Sequence, residues 1–359
     1  MSKNSVAAGS VLEWMPVTAK IQNSYAGNMK QLRRRHGAVV PETSVKKAID
    51  SGRKNRVALS ECMTTVNEQG MELIEHGSAL FPAACYYDNL AEEDVPWHWH
   101  EELELILVSE GESVVAAGTE KYIIKEGNGI FINSGILHAA WKHTEGACRF
   151  HSIVFHPRLV GGSADSVFWQ NYLRPLMEDG TLSGVYLDRD TEWQREILTF
   201  LEHAWQSDVA EQPGYEFEVR ENLSRIVSCL VLRKPAPGKT LSEKCLREEG
   251  RMKLMLQYIQ EHCEEEVTVT GIAESASVSI SECLRCFHNT IGVPPIQYVL
   301  QYRLQMAAGL LAETDRKIAD IGMQCGFQDL SYFARMFRRL KGCTPSEYRK
   351  RKRNSNCSF

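Results

Sequence analysis

The sequence IADIGMQCGFQDLSYFARMFRRLKGCTPSEYRK, residues 318–350, has the spacing of two helices joined by a tight turn. Gly326 supplies the turn, Phe327 follows as a core residue, and Asp329 begins the second helix. The small residue Gly322 allows the first helix to lie close against the second. The segment therefore predicts a helix-turn-helix unit.

The same pattern occurs once more upstream. Residues 272–298, IAESASVSISECLRCFHNTIGVPPIQY, align with residues 321–348 at an offset of 50 over the second helix and 49 before the turn. The matched pairs are Arg285 with Arg335, Phe287 with Phe337, Gly292 with Gly342, Pro295 with Pro345 and Tyr298 with Tyr348. Agreement at so many positions indicates an internal repeat. A generic helical pair in a bundle, acting without DNA, is the alternative, and the matching arginines disfavour it.

The first copy carries its own helix signals. Thr268 is placed to cap its first helix, and Ser279 with Glu282 forms a capping box, S-x-x-E, that opens the second helix. The expected apolar face of that second helix consists of Leu284, Phe287 and Ile291. Both copies are therefore expected to fold as helix pairs.

Residues 251–350 resemble the C-terminal signature of AraC/XylS-type transcription regulators. The residues that match the family pattern are Ile318-Ala319, Gly326-Phe327, Ser331-Tyr332-Phe333, Arg335, Phe337-Arg338-Arg339, Gly342, Thr344-Pro345 and Tyr348-Arg349. The first copy departs from it, because Cys283 stands where leucine is usual and Leu284 where a polar base-reading residue is common. The resemblance implies an all-α DNA-binding domain with two helix-turn-helix units.

By this resemblance, the second helix of each unit enters a major groove of duplex DNA. Arg285 and Arg335 are expected to reach base edges, since arginine most often reads guanine, and Thr344 is expected to hold a phosphate. A helix at about 295–311 would span about 25 Å and hold the units roughly one turn of DNA apart. The predicted DNA-binding residues are Ser281, Leu284, Arg285, Leu330, Ser331, Arg335 and Thr344.

Between about residues 80 and 157 the pattern changes to short strands. Five segments rich in Val, Ile and aromatic residues are ELELILVS, ESVVAA, KYIIKEG, GIFINSG and CRFHSIVFH. Such strands at short spacing predict an antiparallel barrel or sandwich. Within it, PWHWHEELELILVSEG (residues 96–111) has the spacing His-x-His-x3-Glu, which could serve a divalent metal or a small-molecule pocket.

This region resembles the cupin barrel with which many AraC-type regulators bind an effector. The cupin-motif residues present are His98, His100, Glu104 and Gly111 in the first motif and Gly127, Gly135 and His138 in the second. Asn133 and Lys142 stand where proline and asparagine are usual. The four positions that are metal ligands in cupin enzymes are filled by His98, His100, Glu104 and His138. Such a set would suit Fe, Mn, Zn or Ni.

Three uses of this site stay open. An effector pocket ranks first, because nearby tryptophans suit a polar, ring-shaped ligand, with carbohydrate as the first guess. A structural metal or histidine network ranks second and a catalytic metal last, so the alternative function is a metal-dependent cupin enzyme with an appended DNA-binding module. The predicted effector-binding residues are Trp97, His98, His100, Glu104, His138 and Trp141, with Trp99 beside them. No catalytic residue is predicted, and no cofactor other than a divalent metal at this site.

From about residue 166 to 234 the apolar period becomes helical. One expected face consists of Ile197, Leu198, Leu201 and Trp205, and another of Leu223, Ile226, Val227, Leu230 and Val231. These faces are expected to pair two subunits or to pack on the chain's own barrel. KPAPGKT (234–240) predicts a linker between domains.

The predicted architecture is α+β and multidomain, with a cupin-like β-barrel followed by a helical dimerisation segment and an all-α domain. The segments are a basic extension of unknown role at 1–70, the effector-binding barrel at 71–165, helices at 166–233, a linker at 234–242 and the DNA-binding domain at 243–353.

Charge supports this division. Residues 61–249 hold 15 basic and 32 acidic residues, whereas residues 301–359 hold 12 basic and 5 acidic residues. This asymmetry indicates that only the C-terminal part meets a polyanion.

Composition bears on localisation. No apolar run approaches the length that spans a bilayer, and the first residues, MSKNSVAAGSVLEW, lack the apolar core of a signal peptide. Eleven cysteines without framework spacing favour a reduced setting, and the CxxC of Cys283 and Cys286 is better interpreted as buried thiols than as a zinc site. Composition thus predicts a cytoplasmic protein. Together with the family resemblance, the sequence predicts a homodimeric regulator that binds double-stranded DNA, a small-molecule effector and RNA polymerase.

Overall fold

Two β-sheets face each other in the computed structural model, which describes residues 57–59, 76–233 and 243–357. The strands are β1 (Val57–Leu59), β2 (Ala83–Asn89), β3 (Val95–His98), β4 (Leu103–Glu110), β5 (Glu112–Ala117), β6 (Glu120–Lys125), β7 (Gly129–Ile132), β8 (His138–Lys142), β9 (Arg149–Phe155) and β10 (Gly184–Leu187). The larger sheet has the order β1-β2-β9-β4-β7-β10 and the smaller β3-β8-β5-β6. The predicted cupin-like β-domain is confirmed as a sandwich, because the described sheets do not close into a barrel.

Strand β4 shows how the sandwich is built. Leu103, Leu105 and Leu107 pack with helices outside the larger sheet, whereas Ile106 and Val108 pack between the sheets. Because both faces of the strand are covered, its sequence is an almost continuous apolar run.

Helices cover the outer face of the larger sheet. They are α1 (Arg158–Gly161), α2 (Arg174–Met177), α3 (Glu192–Ala210) and α4 (Tyr215–Arg233), with a π-helical turn at Trp169–Leu173. The predicted apolar faces of α3 and α4 are confirmed as buried, apart from the partly buried Val231, and they share one core with this sheet. The chain's own sheet thus occupies these faces, and pairing of two subunits stays a prediction.

One segment differs from its expected structure. Residues 184–187, predicted within the helical region, form β10, which pairs antiparallel with β7. The run Val185-Tyr186-Leu187 is β-branched and aromatic, so it suits an edge strand better than a helix.

Seven helices form the described C-terminal part. They are α5 (Glu243–Glu261), α6 (Val269–Ser275), α7 (Ile280–Thr290), α8 (Pro295–Glu313), α9 (Ile318–Gln324), α10 (Leu330–Lys341) and α11 (Pro345–Cys357). The pairs α6–α7 and α9–α10 are the two predicted helix-turn-helix units, separated by α8. The expected caps are present, since the side chains of Thr268, Ser279 and Asp329 accept backbone N–H groups at the starts of α6, α7 and α10.

The turn of the second unit requires a glycine. Gly326 has φ +77°, and a Cβ there would lie 2.4 Å from the carbonyl oxygen of Cys263. The aligned residue of the first unit, Ser277, also has a positive φ of 53°. Both units thus use the same left-handed turn with different residues.

The expected apolar face of α7 is wrong at one position. Leu284 is 43% exposed, and the buried side of the helix carries Cys283, Cys286 and Phe287. These buried residues recur at i, i+3 and i+4, which is the spacing of a face that packs on neighbouring helices. The two cysteines therefore lie in the core of the first unit.

The helical part contacts the sandwich in two places. The first is α5, whose Met252, Met255 and Leu256 share a core with side chains of the smaller sheet. The second is ionic, with Lys341 Nζ 2.7 Å from Glu93 Oε1 and Lys352 Nζ 3.2 Å from Glu92 Oε2. Among the described residues, no helix is both long and apolar enough to cross a membrane.

Candidate functional site

Four side chains of the two cupin motifs converge between the sheets. One ligand atom from each of His98, His100, Glu104 and His138 lies within 4.8 Å of the others, and all four residues are buried. Pairing of β3 with β8 places His98 opposite His138, while Glu104 projects inward from β4. The predicted convergence of these residues is confirmed.

Backbone contacts fix the orientation of the three imidazoles. The Nδ1 atoms of His98, His100 and His138 lie 2.8, 3.2 and 2.7 Å from the carbonyl oxygens of Pro96, Glu102 and Ile136. A carbonyl oxygen only accepts, so each Nδ1 must donate. A neutral imidazole with a protonated Nδ1 has its lone pair on Nε2, and this second-sphere arrangement is typical of metal-ligating histidines.

The carboxylate lies beside two of these Nε2 atoms. Glu104 Oε2 is 3.1 Å from His138 Nε2 and 3.6 Å from His100 Nε2. Neither Nε2 atom has a hydrogen-bond partner of good geometry within the described part of the chain. Burial alone would raise the pKa of Glu104, but Nε2–H groups of His100 and His138 that donate to the carboxylate outweigh burial and hold that pKa well below its usual range.

This arrangement fits a divalent cation. A lone pair on Nε2 and a carboxylate oxygen are both acceptors, so their close approach needs a proton or a cation between them. Three imidazoles and one carboxylate would suit Fe, Mn, Ni or Zn. Ligand atoms within 4.8 Å of one another leave room for one ion among them, but not for a ring-shaped molecule.

The structure does not bring Trp97 and Trp141 to this cluster. Side chains alternate along a strand, so the inward positions of His98 and His138 turn Trp97 and Trp141 to the outer face of the smaller sheet. There they pack, with Trp99, against the core that contains α5. Their expected role in effector binding therefore stays a prediction.

Two site features carried no sequence signal. Glu249 of α5 accepts a hydrogen bond from the backbone N–H of Leu137 at 3.3 Å. Lys253 donates to the carbonyl oxygen of Gly135 and lies over the ring of Trp99, 5.8 Å from its centroid. These contacts join residues more than 100 positions apart, which no local pattern encodes.

The predicted DNA-binding residues of the second unit lie on an open helix face. Leu330, Ser331 and Arg335 are exposed on α10, and the guanidinium carbon of Arg335 is 5.5 Å from the centroid of the Tyr332 ring. Thr344 begins α11 in a reciprocal capping box, because its Oγ1 accepts from the N–H of Glu347 at 3.3 Å and its own N–H donates to that carboxylate at 2.8 Å.

The first helix-turn-helix unit differs from the second in the charges around its arginine. Ser281 and Leu284 are exposed, but Arg285 is held by two carboxylates. Its Nη2 lies 2.6 Å from Glu282 Oε1 and 2.8 Å from Glu248 Oε1. In the predicted capping box, the N–H of Glu282 donates to Ser279 Oγ at 3.2 Å, and the Glu282 carboxylate binds Arg285 and Arg251.

Known proteins resemble both parts of the chain. An AraC-like ligand binding domain matches residues 81–226, and a helix-turn-helix domain matches residues 272–351. YdeC of Bacillus subtilis (strain 168), described as an uncharacterized HTH-type transcriptional regulator, is 29% identical over 288 residues, which cover 79% of this chain and 97% of YdeC. The HTH-type transcriptional activator RhaS of Escherichia coli O139:H28 is 25% identical over 280 residues, covering 76% of this chain and 96% of RhaS.

A solved structure of similar extent is that of ToxT from Vibrio cholerae O395. It covers 74% of this chain and 96% of ToxT at 12% identity, with a TM-score of 0.41. The two matched domains follow one another here, and the relatives are matched over nearly their whole length. The chain therefore belongs to the AraC family of transcription regulators, as a DNA-binding regulator with a ligand-binding domain and not as an enzyme.

Proposed function

We propose that the histidine–glutamate cluster holds one divalent cation and that α5 couples this site to DNA binding. One observation carries the proposal: the segment that leads into His138 is bound twice by α5. Glu249 accepts from the N–H of Leu137, and Lys253 donates to the carbonyl oxygen of Gly135. A shift of this segment would therefore displace α5, which is the first helix of the proposed DNA-binding domain.

Helix α5 also contacts Arg285, which is one of the predicted base-reading residues. Glu248, next to Glu249, binds Arg285 on α7 at 2.8 Å. A continuous set of contacts thus runs from His138 to Arg285. Coupling through such contacts needs no rearrangement of a dimer interface.

The cluster geometry supports a cation over an organic effector at these four residues. Sequence reasoning ranked an effector pocket first, largely because of the tryptophans, which lie instead against α5. When bound, a cation would supply positive charge that draws three imidazoles and one carboxylate together. His98, His100, Glu104 and His138 would hold it, and their second-sphere contacts would keep each Nε2 directed inward.

On the DNA side, we propose that Arg335 reads a base edge and that Ser331 and Leu330 contact neighbouring positions. Thr344 and the N–H groups at the start of α11 would hold a phosphate. Ser281, Leu284 and Arg285 would occupy the equivalent groove position in the first unit. The exposure of Arg335 supports its role more strongly than that of Arg285, which is bound by carboxylates.

The remaining expectations rest on composition, on the apolar faces of α3 and α4, on the tryptophans and on the family resemblance. They are a cytoplasmic homodimer, contact with RNA polymerase and a small-molecule effector that could be a carbohydrate. The proposed domain division is 71–165, 166–233 and 243–353, and the expected linker at 234–242 and most of the basic extension at 1–70 lie outside the described residues.

The experiment uses the full-length chain, with duplexes that it selects from a random pool. After chelation, the chain is titrated with Mn²⁺ or Zn²⁺ while metal content and duplex affinity are measured. We expect one equivalent of metal per chain and a change in the duplex Kd of at least about fivefold. Glu104→Gln should abolish both effects.

The coupling variants are Glu249→Gln and Lys253→Met, with Glu261→Gln as the control at an exposed position of the same helix. The first two should keep stoichiometric metal but lose most of the change in duplex affinity, and the control should behave as wild type. Absence of bound metal would refute the cation assignment. Bound metal that leaves the duplex Kd unchanged would refute the coupling.

A further inference from the structure

The second helices of the two units, α7 and α10, begin with exposed aliphatic residues. Ile280 is the first residue of α7 and is 46% exposed, and Leu330 is the first residue of α10 and is 38% exposed. The two residues occupy aligned positions of the internal repeat, and each directly follows a helix cap, Ser279 or Asp329. Single exposed aliphatic residues are common, but exposure at the same position of both copies indicates a shared use.

A second pair of exposed apolar residues lies one helical turn further on. Leu284 of α7 and the aligned Ala334 of α10 are both exposed. Residues at i and i+4 of a helix are neighbours on one face, so each helix carries an aliphatic strip along the same side. The core contacts of the two helices are made mainly by other residues, Phe287 in α7 and Phe333 with Phe337 in α10. The aliphatic strips are therefore available to a partner.

Each aliphatic strip lies beside residues that were already assigned to DNA. Ser281 and Arg285 directly follow the two strip residues of α7, and Ser331 and Arg335 directly follow those of α10. Both helices thus present the same order of side chains, which is aliphatic, serine, aliphatic and arginine. The N-terminal residues of the second helix contact base edges in a helix-turn-helix unit, so the strips would face base edges in the major groove.

The chemistry of the strips favours one base. Thymine presents a methyl group in the major groove, and aliphatic side chains contact it. A serine hydroxyl both donates and accepts, so Ser281 and Ser331 discriminate little between bases. Leu284 also stands where a polar base-reading residue is common in the family, so an apolar contact would replace a hydrogen bond there.

We propose that Ile280 and Leu330 are specificity-determining residues, each of which contacts the 5-methyl group of a thymine in the half-site, the stretch of DNA that its unit reads. Five residues separate Ile280 from Arg285, or about 7.5 Å along the helix, so the thymine should lie about two base pairs from the guanine that the arginine reads. The inference rests on the proposed placement of α7 and α10 in major grooves. It goes beyond that placement by naming a base and the two residues that select it.

The experiment uses the full-length chain at one fixed metal content, with duplexes that it selects from a random pool. In a second set of duplexes the selected thymine is replaced by deoxyuridine, which lacks only the 5-methyl group. The variants are Ile280→Ser and Leu330→Ser. The matched control is Leu340→Ser, at an exposed leucine about 15 Å further along α10 whose aligned residue in α7 is the polar Thr290. The measured quantity is the ratio of the Kd for the deoxyuridine duplex to the Kd for the thymine duplex.

We expect each replaced thymine to weaken binding by the wild-type chain about fourfold, which corresponds to the burial of one methyl-sized group. Ile280→Ser should lose this discrimination in the half-site of the first unit only, and Leu330→Ser in that of the second unit only. Leu340→Ser should discriminate as the wild-type chain does. Both affinities are measured on the same protein sample, so partial unfolding of a variant does not imitate the loss, and the wild-type ratio needs no variant.

The outcomes separate this inference from the proposal on which it rests. Failure of the chain to select any duplex would overturn both the placement of α7 and α10 in major grooves and this inference. Selected half-sites without thymine, or a wild-type Kd that deoxyuridine leaves unchanged, would overturn this inference alone. Equal discrimination by the wild-type, Ile280→Ser and Leu330→Ser chains would also overturn it, because the methyl group would then act through the shape of the DNA.

Discussion

The two helix-turn-helix units have the same fold but present their aligned arginines in different environments. Arg285 of the first unit is bound by Glu282 and Glu248, whereas Arg335 of the second is exposed and has no ion pair within the described residues. Only Glu282 belongs to the repeated segment, while Glu248 comes from α5. The comparison shows that a duplicated motif can keep its packing while a neighbouring helix changes the availability of its key residue.

The turns of the two units differ in a second way. Gly326 and Ser277 occupy aligned positions with positive φ, but only at Gly326 would a Cβ meet a carbonyl oxygen, at 2.4 Å. The second unit therefore depends on glycine for space as well as for backbone freedom. The first unit accepts a side chain at the cost of some backbone strain.

The largest expected effect tests this difference in the turns. Gly326→Ala should lower the free energy of unfolding by about 3 kcal/mol, because left-handed strain adds to the clash with Cys263. The converse change, Ser277→Gly, should raise it by up to about 1 kcal/mol by relieving strain. Chemical denaturation of the full-length variants measures both. Equal, small losses at the two positions would show that the turns do not differ in this respect.

The next effect concerns base recognition. Arg335→Ala should weaken binding to a selected duplex by about 1–3 kcal/mol and relax preference at one base position. Arg285→Ala should act in the same direction but more mildly, because Arg285 must first leave its carboxylate partners. Gel shifts with selected and scrambled duplexes at two salt concentrations distinguish the cases. A loss by Arg335→Ala that is equal on both duplexes would make the second unit a backbone clamp.

The smallest effect tests the role of α5 in the first unit. Glu248→Gln should tighten duplex binding by about threefold, because it removes one carboxylate that competes with DNA for Arg285. The factor is small because the ion pair contributes no more free energy than an ordinary surface ion pair. Anisotropy titrations at low salt measure the change, and Glu261→Gln at an exposed site of α5 is the matched control. Weaker binding by Glu248→Gln would show instead that Glu248 positions Arg285 for DNA.

Much of the fold could be predicted from local patterns. The caps at Thr268, Ser279 and Asp329, the glycine turn at Gly326 and the buried faces of α3 and α4 all depend on residues within about four positions of one another. Leu284 shows where this reasoning fails, since two overlapping apolar spacings were available on α7 and packing selected the one through Cys283. Strand β10 was missed because its four residues lie in a region of helical periodicity.

The candidate site was likewise predictable only in part. The ligand set of His98, His100, Glu104 and His138 followed from motif spacing, and the structure brings these residues together. The positions of Trp97 and Trp141 could have been deduced from strand alternation, because each has the opposite parity to a ligand histidine on its own strand. His76 belongs to no motif, so no local pattern predicts that its ring centroid lies 5.1 Å from that of His100.

The sequence by itself determined the two helix-turn-helix units, the cupin-like spacing of the residues that form the candidate site, and the order of the two matched domains. Periodicity, capping and motif spacing are local properties, and they are sufficient for such features. The tertiary structure alone decided that Glu248 holds Arg285, that Glu249 and Lys253 bind the segment leading into His138, and that the ring of His76 lies beside that of His100. These contacts join elements that are distant along the chain, and their energies depend on packing geometry that no short pattern of residues specifies.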